Sequence, residues 1–444
     1  MTSSIRNART IGRPVRLLER SLQIKTIVQY VLIYLMLLVP GSTFVLVTAN
    51  PIIYYALMVA FLAALLLVKG MRESYGIALC GVLLVSTVLT RALNGGAGIG
   101  SWAELAGCVA ITQMAICCDY DRFLGRWIRA VVFFAVISVV LWMFFLLFPS
   151  SVSTILGSPY LVDVVGTYPW QTYQYGAGQF FYSWLEIHST RNCGLYTEPG
   201  KYQVVLNSAL FILLFWRNKL HFKSEQGYKR SLVIVVVALA SCQSTTGYIG
   251  MVGIFIFYLF SFKRREEAGG AKLYIFGTLL VAVFALLVDY ALNADNSVLY
   301  QQVISKLFGD SGFDLSSGTG IFRVEMIELC LFVMLSDPLG IGYDGLNLLA
   351  AGYGGGGLVA ASLVQFAAIY GVVPWLVVLF FIFYPVFKGC PLPTAFLFAF
   401  LFLNTTLAQT HFLYTSLLMI PMYLAIGHGW PLRRAEAMTK GGRS

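Results

Sequence analysis

Runs of about twenty apolar residues recur along this chain, and they leave it few ways to fold. Backbone in lipid must satisfy its hydrogen bonds internally, so only helices and closed barrels cross a bilayer. A helix needs ~20 mostly apolar residues to do so, whereas barrel strands alternate over ~10 residues. The runs here are long and do not alternate. Of 444 residues, 58% are hydrophobic and 11% charged, against about 25% charged in a typical soluble domain. The fold class expected is an all-α, polytopic integral membrane protein of about twelve transmembrane helices with two long extracytoplasmic loops.

The expected order is a basic segment at 1–26, helices one to five within 27–148, and a first loop at 149–198. Helices six to nine follow within 199–290, then a second loop at 291–357, helices ten to twelve within 358–427 and a tail at 428–444. The first five spans run from Ile27 to Thr48, Pro51 to Val68, Tyr75 to Leu93, Trp102 to Cys118 and Ile128 to Phe148. The next four run from Pro199 to Trp216, Leu232 to Thr245, Gly247 to Phe262 and Leu273 to Tyr290. The last three run from Leu358 to Phe387, Pro393 to Ala408 and Phe412 to Gly427. The short seventh and eighth, turning at Ser244 to Gly247, also fit a re-entrant hairpin with the same topology.

Basic residues orient the bundle, because Lys and Arg collect in short cytoplasmic loops. With both termini cytoplasmic, 25 of the 30 lie inside, and Arg91, Arg191, Lys201, Lys306 and Arg323 lie outside. The net charge of +10 therefore reflects topology and gives no reason to expect nucleic acid. Arg9, Arg13, Arg16 and Arg20 share a helical face, which suits a basic helix on an anionic leaflet or a tail that only sets orientation. The first span shows no cleavage site and is expected as a mature helix.

The placement of charge also bears on the class of function. A transporter usually buries ionisable groups near the bilayer midplane. Here Glu104 and Asp289 sit at outer span ends, and ten further acidic residues lie in the two long loops. Chemistry is expected at the outer interface. The aromatic stretch Tyr160 to Trp184 suits either an interfacial belt or a sugar-stacking surface. Cys193 and Cys330 fall outside, where a disulfide is chemically permitted. No spacing suggests a metal site, and no cofactor is expected.

The first loop ends in Arg191-Asn192-Cys193-Gly194-Leu195-Tyr196-Thr197-Glu198-Pro199-Gly200-Lys201. Pro199 suits a first helical position and Glu198 its cap. Arg191 and Lys201 flank a helix start that favours anions, although a plain cap with two snorkelling cations fits as well. In the second loop a helix is expected to open near Ile321 and to end before Asp337. Arg323 falls in its first turn, and Glu325 and Glu328 share a face. Two cation-bearing helix starts on one side of a membrane would suit a diphosphate.

Arg191 to Gly194 with Glu198-Pro199-Gly200 resembles the Arg-x-x-Gly…Glu-Pro-Gly signature of bacterial O-antigen polymerases of the Wzy type. Ser241 to Gly250 resembles the Ser-rich turn of the O-antigen polymerase and ligase superfamily. Arg323 with Asp337-Pro338-Leu339-Gly340-Ile341-Gly342 is similar to its second-loop pattern. The likeness runs from about Arg191 to Trp375. It implies a glycosyltransferase of the bacterial inner membrane, in which a growing glycan passes from undecaprenyl diphosphate to the next lipid-linked unit. The partners implied are lipid-linked oligosaccharide donor and acceptor, the bilayer and a chain-length regulator. It implies catalytic roles for Arg191, Glu198 and Arg323. Lys201, Glu325, Glu328 and His411 would contact diphosphate or glycan, with Glu325 and His411 the other proton acceptors in reach. The ligase branch carries a His-x-x-Asn-like element where this chain has Gly354 to Leu363, which favours a polymerase; Val324-Glu325 after Arg323 departs from the usual aromatic. A ligase of the same superfamily, and a lipid-linked-sugar flippase or polysaccharide exporter, are the alternatives.

Overall fold

The computed structural model describes residues 12–39, 41, 51–71, 73–95, 99–156, 160–163, 172–175, 180–185, 188–261, 308–309, 312–313, 319–352, 361–409 and 412–429, with isolated positions from 277 to 300. The N-terminal helices are α1 (Gly12–Leu38), α2 (Pro51–Leu67), α3 (Ser74–Asn94), α4 (Ile99–Cys118), α5 (Tyr120–Leu147) and the short α6 (Val152–Leu156). After the first loop come α7 (Pro199–Phe215), α8 (Glu225–Ser241) and α9 (Thr245–Ser261). The C-terminal part holds α10 (Thr319–Ser336), α11 (Gly342–Gly352), α12 (Ser362–Tyr370), α13 (Val372–Gly389), α14 (Leu392–Ala408) and α15 (Thr415–His428). Two small antiparallel hairpins, β1 (Tyr160–Asp163) with β2 (Thr172–Tyr175) and β3 (Phe308–Gly309) with β4 (Gly312–Phe313), lie in the long loops.

The bundle is built around α7. Pro199 and every residue from Lys201 to Leu214 are buried, as expected of a helix without a solvated face. It packs against α5, α8, α9, α14 and α15. Its amides are partly paired: Asn207 Nδ2 donates to Gln203 Oε1 at 2.8 Å and to the Gly247 carbonyl at 3.1 Å, while Gln203 Nε2 and Asn207 Oδ1 are buried without a partner among the described residues. Small residues let α9 approach, because a Cβ at Gly250 would lie 2.7 Å from Asn207 Nδ2. Outer faces are apolar and uncovered, as with Val85 and Val88 on α3, Phe133, Val140 and Leu147 on α5, and Val373 and Phe380 on α13. Among the described residues, α3, α5 and α13 are long and apolar enough to cross a membrane, and seven shorter apolar helices accompany them. These features are consistent with a multi-pass membrane protein.

Where α1, α4 and α5 meet, Arg126 pairs with Asp119 at 2.9 Å and donates to Gln29 and to Thr26 Oγ1. Gln29 also donates to the carbonyls of Ala115 and Asp119. A buried charge persists when it is paired and hydrogen-bonded in this way.

Several elements differ from expectation. The first helix starts at Gly12 and ends at Leu38, so the basic segment and the span are continuous from residue 12. Residue 40 is proline, which disfavours helix just before it, and Gly41 then takes φ +96°. The tenth span, expected unbroken from Leu358 to Phe387, breaks at Gly371 (φ +95°) into α12 and α13. The second loop folds as α10, which was expected, and α11, which was not. On α10, Met326, Leu329, Cys330 and Val333 are buried, while Leu331, Phe332 and Leu335 are exposed. Apolar residues therefore stand on both faces of its C-terminal half, with Glu328 exposed among them. Cys193 and Cys330 are buried and free. Most of the ninth span, and the glycine run from Gly354 to Gly357, fall outside the described residues.

Candidate functional site

The segment from His188 to Lys201 is folded onto the turn between α8 and α9, with Asn192 as its anchor. The Asn192 N–H donates to the Ser241 carbonyl at 3.0 Å. Its Nδ2 donates to Ser241 Oγ at 2.9 Å and to Ser138 Oγ at 3.2 Å, and its Oδ1 accepts from the Gly194 N–H at 3.0 Å. Ser138 Oγ also meets the Tyr202 hydroxyl at 2.9 Å. One buried amide thus ties α5, α7, α8 and the loop together. Gly194 has φ +56°, and a Cβ there would lie 2.7 Å from the Tyr202 ring, so both conformation and space require glycine.

Arg191 is half-buried at this corner. Its Nη2 donates to the Gln243 carbonyl at 2.8 Å and its Nε to the Cys242 carbonyl at 3.4 Å, with Nη1 3.5 Å from His188 Nδ1. Those carbonyls lie at the C-terminal end of α8, where free carbonyls carry partial negative charge. Burial pulls the guanidinium below its ordinary value, against nearby Cys193, Cys242, Tyr248 and Glu198, yet arginine stays cationic at neutral pH. Arg191 is therefore also a fastener, and not only an open cation.

Glu198 stands at the cap position of α7 in extended conformation, but its side chain makes no capping bond and is exposed. Its carbonyl accepts the first bonds of the helix, from the Lys201 N–H at 3.1 Å and the Tyr202 N–H at 3.3 Å. The carboxylate is left within electrostatic reach of Arg191. Lys201 turns into the bundle: it is 6% exposed, and its Nζ donates to Thr197 Oγ1 at 3.0 Å. It lies over Gly41, where a Cβ would sit 3.1 Å from Nζ. The external flanking cation expected at this position is thus an internal one.

The second-loop candidates stand on α10, with Arg323 and Glu325 half-buried and Glu328 exposed. The motif from Asp337 to Gly342 that follows is a backbone joint. The Ile341 N–H donates to the Ala368 carbonyl and the Val372 N–H to the Pro338 carbonyl, both at 2.9 Å. A Cβ at Gly340 would lie 2.5 Å from the Ile369 carbonyl oxygen, and one at Gly371 2.8 Å from that of Leu339. Since α10 also packs along α12, helices whose C-terminal ends meet here run in the same direction. Arg323 is thirteen residues from the end of α10, about 20 Å, and nine-residue α12 is about 13 Å long. Arg323 therefore lies toward the Ser362 end of α12.

Gln409 links that end to the first-loop motif. Its carbonyl accepts from the Ser362 N–H at 3.1 Å, and its side chain lies against Gly200, where a Cβ would be 2.5 Å from Nε2. The starts of α7 and α12 thus share one residue. His411, two positions further along, lies outside the described residues. The structure brings Arg191, His188 and Glu198 into one corner and leaves Arg323, Glu325 and Glu328 on a separate helix. Sequence reasoning overlooked Gln409 and Ser138; the signals were a lone serine within an apolar run and a Gln409-Thr410-His411 cluster at the end of another. Comparisons with known protein families, curated proteins and solved structures find no match for this chain.

Proposed function

We propose that this chain polymerises lipid-linked polysaccharide repeat units at the outer face of the bacterial inner membrane. The observation that supports this reading is the corner at the start of α7. A fixed guanidinium and an exposed carboxylate, Arg191 and Glu198, stand within electrostatic reach of each other at the head of the central helix α7. Transfer of a glycan from a polyprenyl diphosphate needs stabilised charge on the departing diphosphate and an acceptor for the hydroxyl proton. Arg191, with Arg323 as its second-loop counterpart, would supply the first through charge held in place before reaction. Glu198 would supply the second. Such a reaction needs no nucleotide sugar, since the donor carries its own leaving group.

Mass analysis of the lipid-linked pool in a deletion strain tests the reading. Single repeat units on the outer leaflet are expected. Long lipid-linked polymer would mark a ligase and overturn the proposal, and units trapped on the cytoplasmic face would mark a flippase.

A further inference from the structure

The turn that Arg191 grips carries a side chain with no local duty. Gln243, the second residue after α8, has φ +47°. Among the described residues, Gln243 and Ala361 are the non-glycine positions with positive φ. Glycine adopts this left-handed conformation freely, and asparagine or aspartate does so at times; other residues set a Cβ against the following carbonyl. Ala361 is fully buried, and its methyl fills packed core. Gln243 is half-buried at the corner that holds Arg191 and His188.

The backbone does not call for glutamine there. The Ala240 carbonyl accepts from the Gln243 N–H at 3.3 Å and from the Tyr248 hydroxyl at 2.7 Å, and the Ser241 carbonyl accepts from the Asn192 N–H at 3.0 Å. The Cys242 and Gln243 carbonyls accept from Arg191 at 3.4 and 2.8 Å. The carbonyls that close α8 are thus engaged, and glycine at 243 would hold the same turn with less strain. The Gln243 side-chain amide itself makes no hydrogen bond among the described residues. An amide both donates and accepts, as a sugar hydroxyl does. A diphosphate only accepts, and on the reading proposed above Arg191 already meets it.

We infer that Gln243 contacts the glycan: its amide bonds a hydroxyl of the sugar joined to the diphosphate that Arg191 faces. This rests on the reading proposed above and adds a contact to the donor's sugar. The bond from Arg191 to the carbonyl of residue 243 itself fixes the spacing between a diphosphate on one side chain and a sugar on the other.

Binding of two lipids to purified protein tests the assignment: undecaprenyl diphosphate alone, and the lipid-linked repeat unit extracted from the deletion strain. Gln243→Gly should leave the melting temperature unchanged or raise it by about 2 °C, because the left-handed turn suits glycine. Its Kd for the bare lipid should stay within about twofold. Its Kd for the glycosylated lipid should rise about tenfold, the scale of one or two neutral hydrogen bonds. Gln243→Met, which keeps the length and removes the amide, should show the same loss. Gln243→Asn, which keeps an amide and tolerates the turn, should recover part of it. Unchanged binding of the glycosylated lipid by the Gly and Met variants would overturn the inference and leave the proposed function standing. An equal loss for both lipids would make Gln243 a support for Arg191 and overturn the sugar contact. A melting temperature lowered by Gln243→Gly would give the side chain a structural duty and overturn it as well. Long lipid-linked polymer in the deletion strain would instead remove the proposed function, and the assigned sugar with it.

Discussion

The Arg191 guanidinium serves two neighbours, so its substitutions should be read with two instruments. Arg191→Ala leaves the Cys242 and Gln243 carbonyls without their donor, which costs about 1–3 kcal/mol when such groups are buried. Melting temperature in detergent should fall and polymer should disappear; Lys, which cannot form the two-pronged contact, should restore only part of each. Glu198→Ala should change stability by no more than about 0.5 kcal/mol, because its side chain caps nothing, while elongation is lost. Normal chain length with Glu198→Ala would exclude its carboxylate from the reaction. Burial pushes the Cys193 thiol up to about 12, above its unfolded value of about 8.5. Its contribution to stability is thus full below about pH 8.5 and is lost as pH rises toward 12, and alkylation at pH 8 should require unfolding. The positions of Arg191 and Glu198 were legible from motif spacing. Their local duties were not: glutamate is a weak choice for a side-chain cap, and nothing in the spacing of the motif places Arg191 at the end of α8.

Among elements, the joint between α10, α12 and α13 depends on two glycines that face each other's backbone. Gly340→Ala would combine φ +83° with a contact at 2.5 Å to a carbonyl that cannot rotate away. Left-handed strain and overpacking together should cost about 2–4 kcal/mol. Limited proteolysis and melting temperature should both report it, with Gly352→Ala as a near-neutral control, since among the described residues nothing lies within 4 Å of a Cβ there. Helix periodicity predicted α10 because charges and apolar residues alternate along it. The break at Gly371 was hidden, because residues 362–389 are apolar on both sides of one glycine and a buried break leaves no polar trace. The end of α1 was missed although Pro40 and Gly41 mark it, because the apolar composition continues through residue 48.

At the scale of the molecule, the orientation expected from the sequence, with 25 of the 30 basic residues inside, would put the first-loop hairpin outside. A cysteine placed at Thr172 should react with a membrane-impermeant maleimide in intact spheroplasts, and protection there would reverse the topology. The contacts that close the bundle join residues far apart in the chain. Thr197 donates to the Gly41 carbonyl at 3.3 Å, and Thr415 Oγ1 donates to the Met36 carbonyl at 2.7 Å across 379 residues. The C-terminal end of the first helix is therefore tied to the last described helix, in addition to the α4 and α5 contacts along its length, and this sets a clock on synthesis. At about 5–20 residues per second, Met36 waits roughly 20–80 seconds for Thr415 to be made. The corner around Arg191 is in place well before the helix beside it is secured. A chain arrested before Thr415 should already carry a docked first-loop motif, yet remain open to protease near residue 39 until the ribosome delivers its last helix.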